Sequence, residues 1–207
     1  MLFDLGALAP RDRYRLLCAV VIPRPVAWVT TVDVGGVVNA APFSFFNIFG
    51  EDPALVVLGL QHHADGSPKD TTRNIRRSGE FVVNIATPDQ SDALVATAAA
   101  YPPHRGEPAA LGLEVAPSTH VAPPRLVCAA AALECRRLTT LAFDAGRELL
   151  VGQAVALHAR DGLIDPDTLR ADWRGDYPLA RLFADRYGRI EEIAPRRIPD
   201  PSPEGTA

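Results

Sequence analysis

From Pro10 onward, the apolar positions Tyr14, Leu17, Cys18 and Val21 recur at helical spacing behind an opening proline, which predicts a helix over 10–21. The period then shortens. "RPVAWVTTVD" is rich in β-branched and aromatic residues, Asp33 with Gly35-Gly36 supplies a reversal, and "VVNAAPFSFF" reads as the returning strand of a hairpin. "PALVVLGLQ" is a continuous apolar run of strand length, the pattern of a strand buried on both sides. "EFVVNIAT" is a further strand, and the segment between the two is polar and helical. An alanine-rich helix is expected in "TPDQSDALVATAAAY", then loop with short strands through the Pro-rich stretch 102–124. "LVCAAAALECRRLTTL" and "RELLVGQAVALHARDG" are two long, largely apolar β candidates around a turn at Asp144–Gly146, the alanines of the first suiting a helix as well. Six or more strands joined mostly by tight turns favour a mainly β antiparallel barrel or sandwich with peripheral helices over a doubly wound parallel sheet.

Composition narrows this picture modestly. The chain has 207 residues and a net charge of −4, with the two signs interspersed, so no basic face points to nucleic acid. Cys18, Cys128 and Cys135 show no CxxC spacing and read as small buried hydrophobes. The five histidines are poorly clustered, which gives no metal-site pattern; the adjacent His62 and His63 would point to opposite faces of a regular strand. The early charges of "MLFDLGALAPRDRYRLL" do not suit a secretory leader, and no apolar run reaches spanning length. A cytoplasmic protein with no membrane segment is the expectation. One domain over 1–198 is expected, with a disordered tail over 199–207, where "PDPSPEG" has nothing to bury. GxGxxG after a strand and GxxxxGK[ST] are both absent.

Two stretches carry candidate chemistry. In "GSPKDTTRNIRRSGE", Ser67 and Asp70 fit a capping box, Pro68 suits the first helical position, and Gly79 suits the stop. The amides of such a helix start, with Lys69 and the hydroxyls of Thr71 or Thr72, could hold a phosphate; a capped surface helix with a solvated lysine explains the same letters. "NAAPFSFFNIFGEDP" holds Phe43, Phe45, Phe46 and Phe49, interrupted by Ser44, Asn47 and Gly50. Aromatic faces beside small hydrogen-bonding groups suit a flat ligand with one polar edge. Thr30 and Thr31 close the preceding strand, where β-propensity alone would also place them.

"PRPVAWVTTVD", "NAAPFSFFN", "EDPALVVLG" and "KDTTRNIRRSGEFVVNIAT", in this order, resemble the flavin reductase-like family of FMN-binding split-barrel proteins. The family includes flavoredoxins and the reductase components of two-component monooxygenases. The likeness is dense over 22–87 and continues through "LLVGQAVALHARDGLI" and "YPLARLFADRYGRI". It implies a six-stranded antiparallel split β-barrel working as a homodimer, with FMN near the subunit interface. Carried over by position, Thr30, Thr31, Ala41, Pro42, Phe43, Ser44 and Asn47 would line the flavin, and Lys69, Asp70 and Thr71 its phosphate end. At least two of the four phenylalanines should pack in the barrel core instead.

The activity so implied is reduction of flavin by NAD(P)H, with hydride transfer to flavin N5, the reduced flavin passing to a partner oxygenase. A flavoredoxin-like electron carrier that holds FMN without oxidising NAD(P)H is the alternative. No side chain is required as acid or base for that transfer, and no catalytic residue is named. His62 and His63 stand just ahead of the helix start, as ligand contacts or as exposed loop residues. Arg181 and Tyr187 are candidates on a C-terminal segment that would pack near the site.

Overall fold

The computed structural model describes residues 1–102, 104–144 and 146–199; the expected tail, from position 200 on, lies outside the described residues. Helix α1 (Pro10–Val20) follows the expected period, with Pro10 in its first turn and Cys18 as its buried residue. Seven strands make up the large sheet: β1 (Ala27–Val32), β2 (Val38–Phe43), β3 (Phe46–Glu51), β4 (Ala54–Gln61), β5 (Glu80–Ile85), β6 (Ala131–Ala142) and β7 (Arg147–Ala159). Helix α2 (Asp70–Ser78) precedes β5, and α3 (Ser91–Ala96) and α4 (Glu107–Leu111) follow it. A three-stranded ribbon pairs Arg24–Pro25 with Ala180–Arg181 and the latter with Tyr187–Gly188. Among the described residues no helix is long and apolar enough to cross a membrane.

The strands form one antiparallel sheet in the order β2-β1-β5-β6-β7-β4-β3. Its two edge strands, β2 and β3, are separated in sequence only by Ser44 and Phe45. Flat, a seven-stranded sheet would hold its edges roughly 29 Å apart at ~4.8 Å per strand, whereas three peptide steps reach about 11 Å. The sheet therefore rolls until its edges meet. This is a split barrel of mainly β structure with peripheral helices, as expected, but with seven strands instead of six. The extra strand arises because "NAAPFSFFN" bends at Ser44–Phe45 and contributes to both edges.

Inside the barrel Ala27, Val29, Val56, Leu58, Leu60, Phe81, Val83, Cys135 and Leu150 pack together with Ile75 of α2. Phe81 is fully buried, an apolar burial that stabilises by roughly 2 kcal/mol. A Cβ at Gly152 would stand 2.6 Å from the Phe81 ring, so the glycine makes room for the phenylalanine across the sheet. Trp28 faces outward from β1 into a second cluster with Leu94, Leu126 and Leu179, and its ring N–H donates to Thr97 Oγ1 at 3.0 Å. Strand β1 is thus buried on both faces. The expectation of two-sided burial for "PALVVLGLQ" is corrected: β4 alternates, burying Val56, Leu58 and Leu60 on one face.

Two other local expectations change. Helix α2 begins at Asp70 with Lys69 as its N-cap and no side-chain cap, because both Ser67 groups, N–H and hydroxyl, donate to Asp65 Oδ1 instead. Its stop is as read: Gly79 adopts φ 73°, a left-handed conformation that glycine takes without steric cost. Cys128 is exposed, whereas Cys18 and Cys135 are buried. Desolvation of the Cys135 thiol pushes its pKa up to about 12, which leaves it inert as a nucleophile.

Candidate functional site: a cavity along the open edge of the barrel

Strand β2 pairs with β1 on one side, so its other side must find partners elsewhere. At its start α4 covers it. A Cβ at Gly106 would fall 1.9 Å from the Val38 carbonyl oxygen, and the Ala40 N–H donates to Glu107 Oε2 at 2.8 Å. Since Ala40 points its N–H outward, strand alternation also turns Pro42 outward, where its lack of an N–H costs no ladder bond. Past Ala40 the edge is uncovered and becomes the floor of a cavity of about 490 Å³, within the size range of small-molecule and cofactor pockets.

Seven of the ten expected site residues line this cavity: Ala41, Pro42, Phe43, Ser44, Lys69, Asp70 and Thr71. Thr71 is buried, and its Oγ1 accepts from Asn39 Nδ2 at 2.9 Å, which fixes the start of α2 against β2. Lys69, Asp70 and Thr71, at the start of α2, therefore line the Asn39 end of the floor. Lys69 is the single lysine of the sequence, and it pairs with no carboxylate among the described residues.

The other three stand elsewhere. Thr30 and Thr31 are fully buried: Thr30 donates to the Pro124 carbonyl at 2.5 Å, and Thr31 Oγ1 accepts from Asn74 Nδ2 at 3.0 Å. They hold a loop and α2 onto the sheet and do not reach the cavity. Asn47 is exposed on β3, past the bend, where it accepts from the Ile48 N–H. Of the four phenylalanines, Phe43 and Phe46 pack against the barrel core, Phe45 lines the cavity, and Phe49 is exposed. His63 lines the cavity; His62 is buried, with Nε2 3.8 Å from Glu148 Oε2.

The C-terminal candidates Arg181 and Tyr187 form one wall, the guanidinium 4.5 Å from the ring centroid. A residue absent from the candidate set anchors that wall. Arg24 is buried and donates to the carbonyls of Cys18, Val21 and Leu182 at 3.0 Å each, with Nε 3.4 Å from Ser44 Oγ. One side chain thus joins α1, the ribbon and the cavity floor. Also unforeseen were Tyr14, Tyr101, Glu107 and Arg147, which line the cavity from distant parts of the chain. Burial raises the Glu107 carboxyl above its ordinary value, against two backbone donors, the Ala40 amide and its own, and with Asp70 adding repulsion.

The cavity offers an apolar and aromatic wall, a hydroxyl and strand-edge carbonyls along the floor, and a cation beside helix amides at one end. Residues 19–186 match the family model of the flavin reductase-like domain. The chain belongs to that family. It is 32% identical to 2-nitrobenzoate 2-nitroreductase NbaA of Pseudomonas fluorescens, with a TM-score of 0.88 over 99% of each chain. It is similarly 32% identical to nitrilotriacetate monooxygenase component B of Bacillus cereus, with a TM-score of 0.88 over 95% of this chain and 98% of that one. An uncharacterised protein of Halalkalibacterium halodurans is 35% identical over 93% of both chains.

Proposed function

We propose that the protein binds FMN in this cavity and acts as an NAD(P)H-dependent flavin oxidoreductase. The observation that carries the reading is the division of the cavity. Its aromatic and apolar wall suits a flat ring, and its one lysine sits with the first turn of α2 at a single end, suited to a phosphate. Ser44 and the outward carbonyls of β2 suit the polar edge of the ring. Bound there, FMN would accept hydride from NADH or NADPH at N5 and hand electrons on. The chain's own contribution is to hold the ring against β2, to fix the phosphate with Lys69, and to leave the mouth open for a second ligand.

The family and the likeness to a monooxygenase component B support delivery of reduced flavin to a partner oxygenase. A homodimer is supported by apolar side chains left in solvent on α1 and β3, where Val20, Ile48 and Phe49 are 75%, 72% and 75% exposed.

Anaerobic mixing tests the function. Protein loaded with FMN should lose its oxidised flavin band within seconds of adding NADH or NADPH. A band that only dithionite bleaches would make the protein a carrier, and failure to bind micromolar FMN would sink the reading altogether. Lys69→Gln should weaken FMN by about tenfold and riboflavin, which lacks the phosphate, hardly at all.

A further inference from the structure

Arg147 is a cavity residue of a different kind from Lys69. It opens β7, pairs in register with Gln61 at the end of β4, and is half-buried. Its guanidinium lies 5.2 Å from the Tyr14 ring centroid and 5.1 Å from that of Phe45, and the two rings are 5.9 Å apart. Phe45 is held in place from behind, because a Cβ at Gly59 would stand 2.8 Å from the Phe45 Cβ. The Arg147 backbone is fixed as well, its N–H donating to Asp144 Oδ1 at 2.8 Å. Three separate elements thus hold one cation at the wall of the cavity.

Ring contacts occupy the faces of a guanidinium and leave its in-plane N–H groups unused. Among the described residues no carboxylate pairs with the Arg147 guanidinium, whereas those of Arg73, Arg76 and Arg160 each have one. A half-buried fork of donors aimed at a cavity is suited to two-point binding of a phosphate or carboxylate.

Its position separates it from the Lys69 end. Thr71 ties the start of α2 to Asn39, whereas Arg147 lies on Phe45, six residues further along the same chain. At strand rise that is up to roughly 20 Å. With the FMN phosphate met at the Lys69 end, and the Arg181 guanidinium donating to the Tyr187 hydroxyl and the Ala184 carbonyl, Arg147 is left for the second ligand.

We propose that Arg147, held on Tyr14 and Phe45, is an anion subsite that takes the diphosphate of the nicotinamide dinucleotide. The assignment to that ligand rests on the function proposed above; the subsite itself rests on the geometry. It makes Arg147 a determinant of which hydride donor is used, with no part in the transfer.

Calorimetric titration of wild type and Arg147→Gln with FMN and with inorganic pyrophosphate tests the subsite, beside steady-state rates with NADH and with uncharged N-benzyl-1,4-dihydronicotinamide. The substitution should leave FMN affinity within about twofold, weaken pyrophosphate by about tenfold, and raise KM for NADH by about tenfold with the uncharged donor unaffected. Arg147→Lys should restore only part, since a point charge lacks the planar fork. Unchanged pyrophosphate binding overturns the proposal. So does a parallel loss of FMN affinity, which would give Arg147 to the FMN phosphate, or an equal loss with both donors. Tighter binding of benzoate than of pyrophosphate would assign the subsite to a carboxylate ligand and overturn the dinucleotide. A wild type that binds no FMN refutes the flavin reading separately, and the pyrophosphate titration then judges the subsite without it.

Discussion

Glu134 and Glu107 are both buried carboxylates on this barrel, and the chain treats them in opposite ways. Glu134, on β6, has no exposed surface; it accepts from the backbone amides of Thr119 and His120 at 2.7 and 2.5 Å, and His158 Nε2 lies 2.5 Å away. Burial alone would raise its pKa, but the two amides and the imidazole outweigh this and hold it down to about 2. Glu107 accepts from the Ala40 amide and from its own, and burial still wins, so its carboxyl titrates above the ordinary value. One carboxylate is a fully partnered pin that fastens the 117–124 loop to the sheet. The other is left under-partnered at the wall of a cavity. A group left so is disfavoured as an anion for stability and stays responsive to what enters beside it.

The sharpest way to break this contrast is Glu134→Gln. An uncharged amide cannot satisfy two N–H donors and an imidazole as a carboxylate does, and the loss should be about 3 kcal/mol, read as a lowered denaturant midpoint with an unchanged m value. Acid titration of the wild type comes next. Because the folded carboxyl of Glu134 sits at about 2 against an ordinary value of 4.5, its stabilisation is complete above 4.5 and is lost as pH falls from there toward 2. Glu107 has the reverse sign. Its raised folded pKa makes stability fall slightly as pH rises from its unfolded value through its folded one, so Glu107→Gln should flatten that slope. A smaller effect is expected of His158→Gln, about 1 kcal/mol, since the two amide donors remain. Smallest is the stability change of Glu107→Gln itself, within about 0.5 kcal/mol of zero, because its side-chain oxygen can still accept from Ala40. Equal destabilisation by the two glutamate substitutions would erase the distinction between pin and cavity wall.

What the sequence disclosed was local, and what it withheld was tertiary. The β1–β2 hairpin, the stop at Gly79 and the long β6–β7 pair all carry their signals within a few residues, as turn chemistry or as runs of β-branched residues. The face of a strand that meets a cavity is not local. Thr30 and Thr31 looked equivalent to Ser44, yet β1 lies inside the sheet with both faces covered, while Ser44 lies at its margin. Asn47 looked close to the site because it stands three positions past Ser44, but the bend carries it to the opposite edge. Glu107 and Arg147 gave no sign: each is an ordinary charged residue beside a turn, brought to the cavity wall by tertiary packing, Glu107 on α4 against β2 and Arg147 at the start of β7. Lys69 did carry an unread signal, since a chain with one lysine among 21 basic residues places it at the cavity.

The two-residue link that closes the barrel has a consequence for how the molecule folds. Ser44 and Phe45 belong at once to the seam of the sheet and to the cavity, so the pocket cannot be assembled before the last strand edge docks. Ligand capture during refolding should then trail secondary-structure formation and coincide with the slowest, most non-local step. A chain opened at this peptide bond by circular permutation would lose the receptor before it lost the sheet.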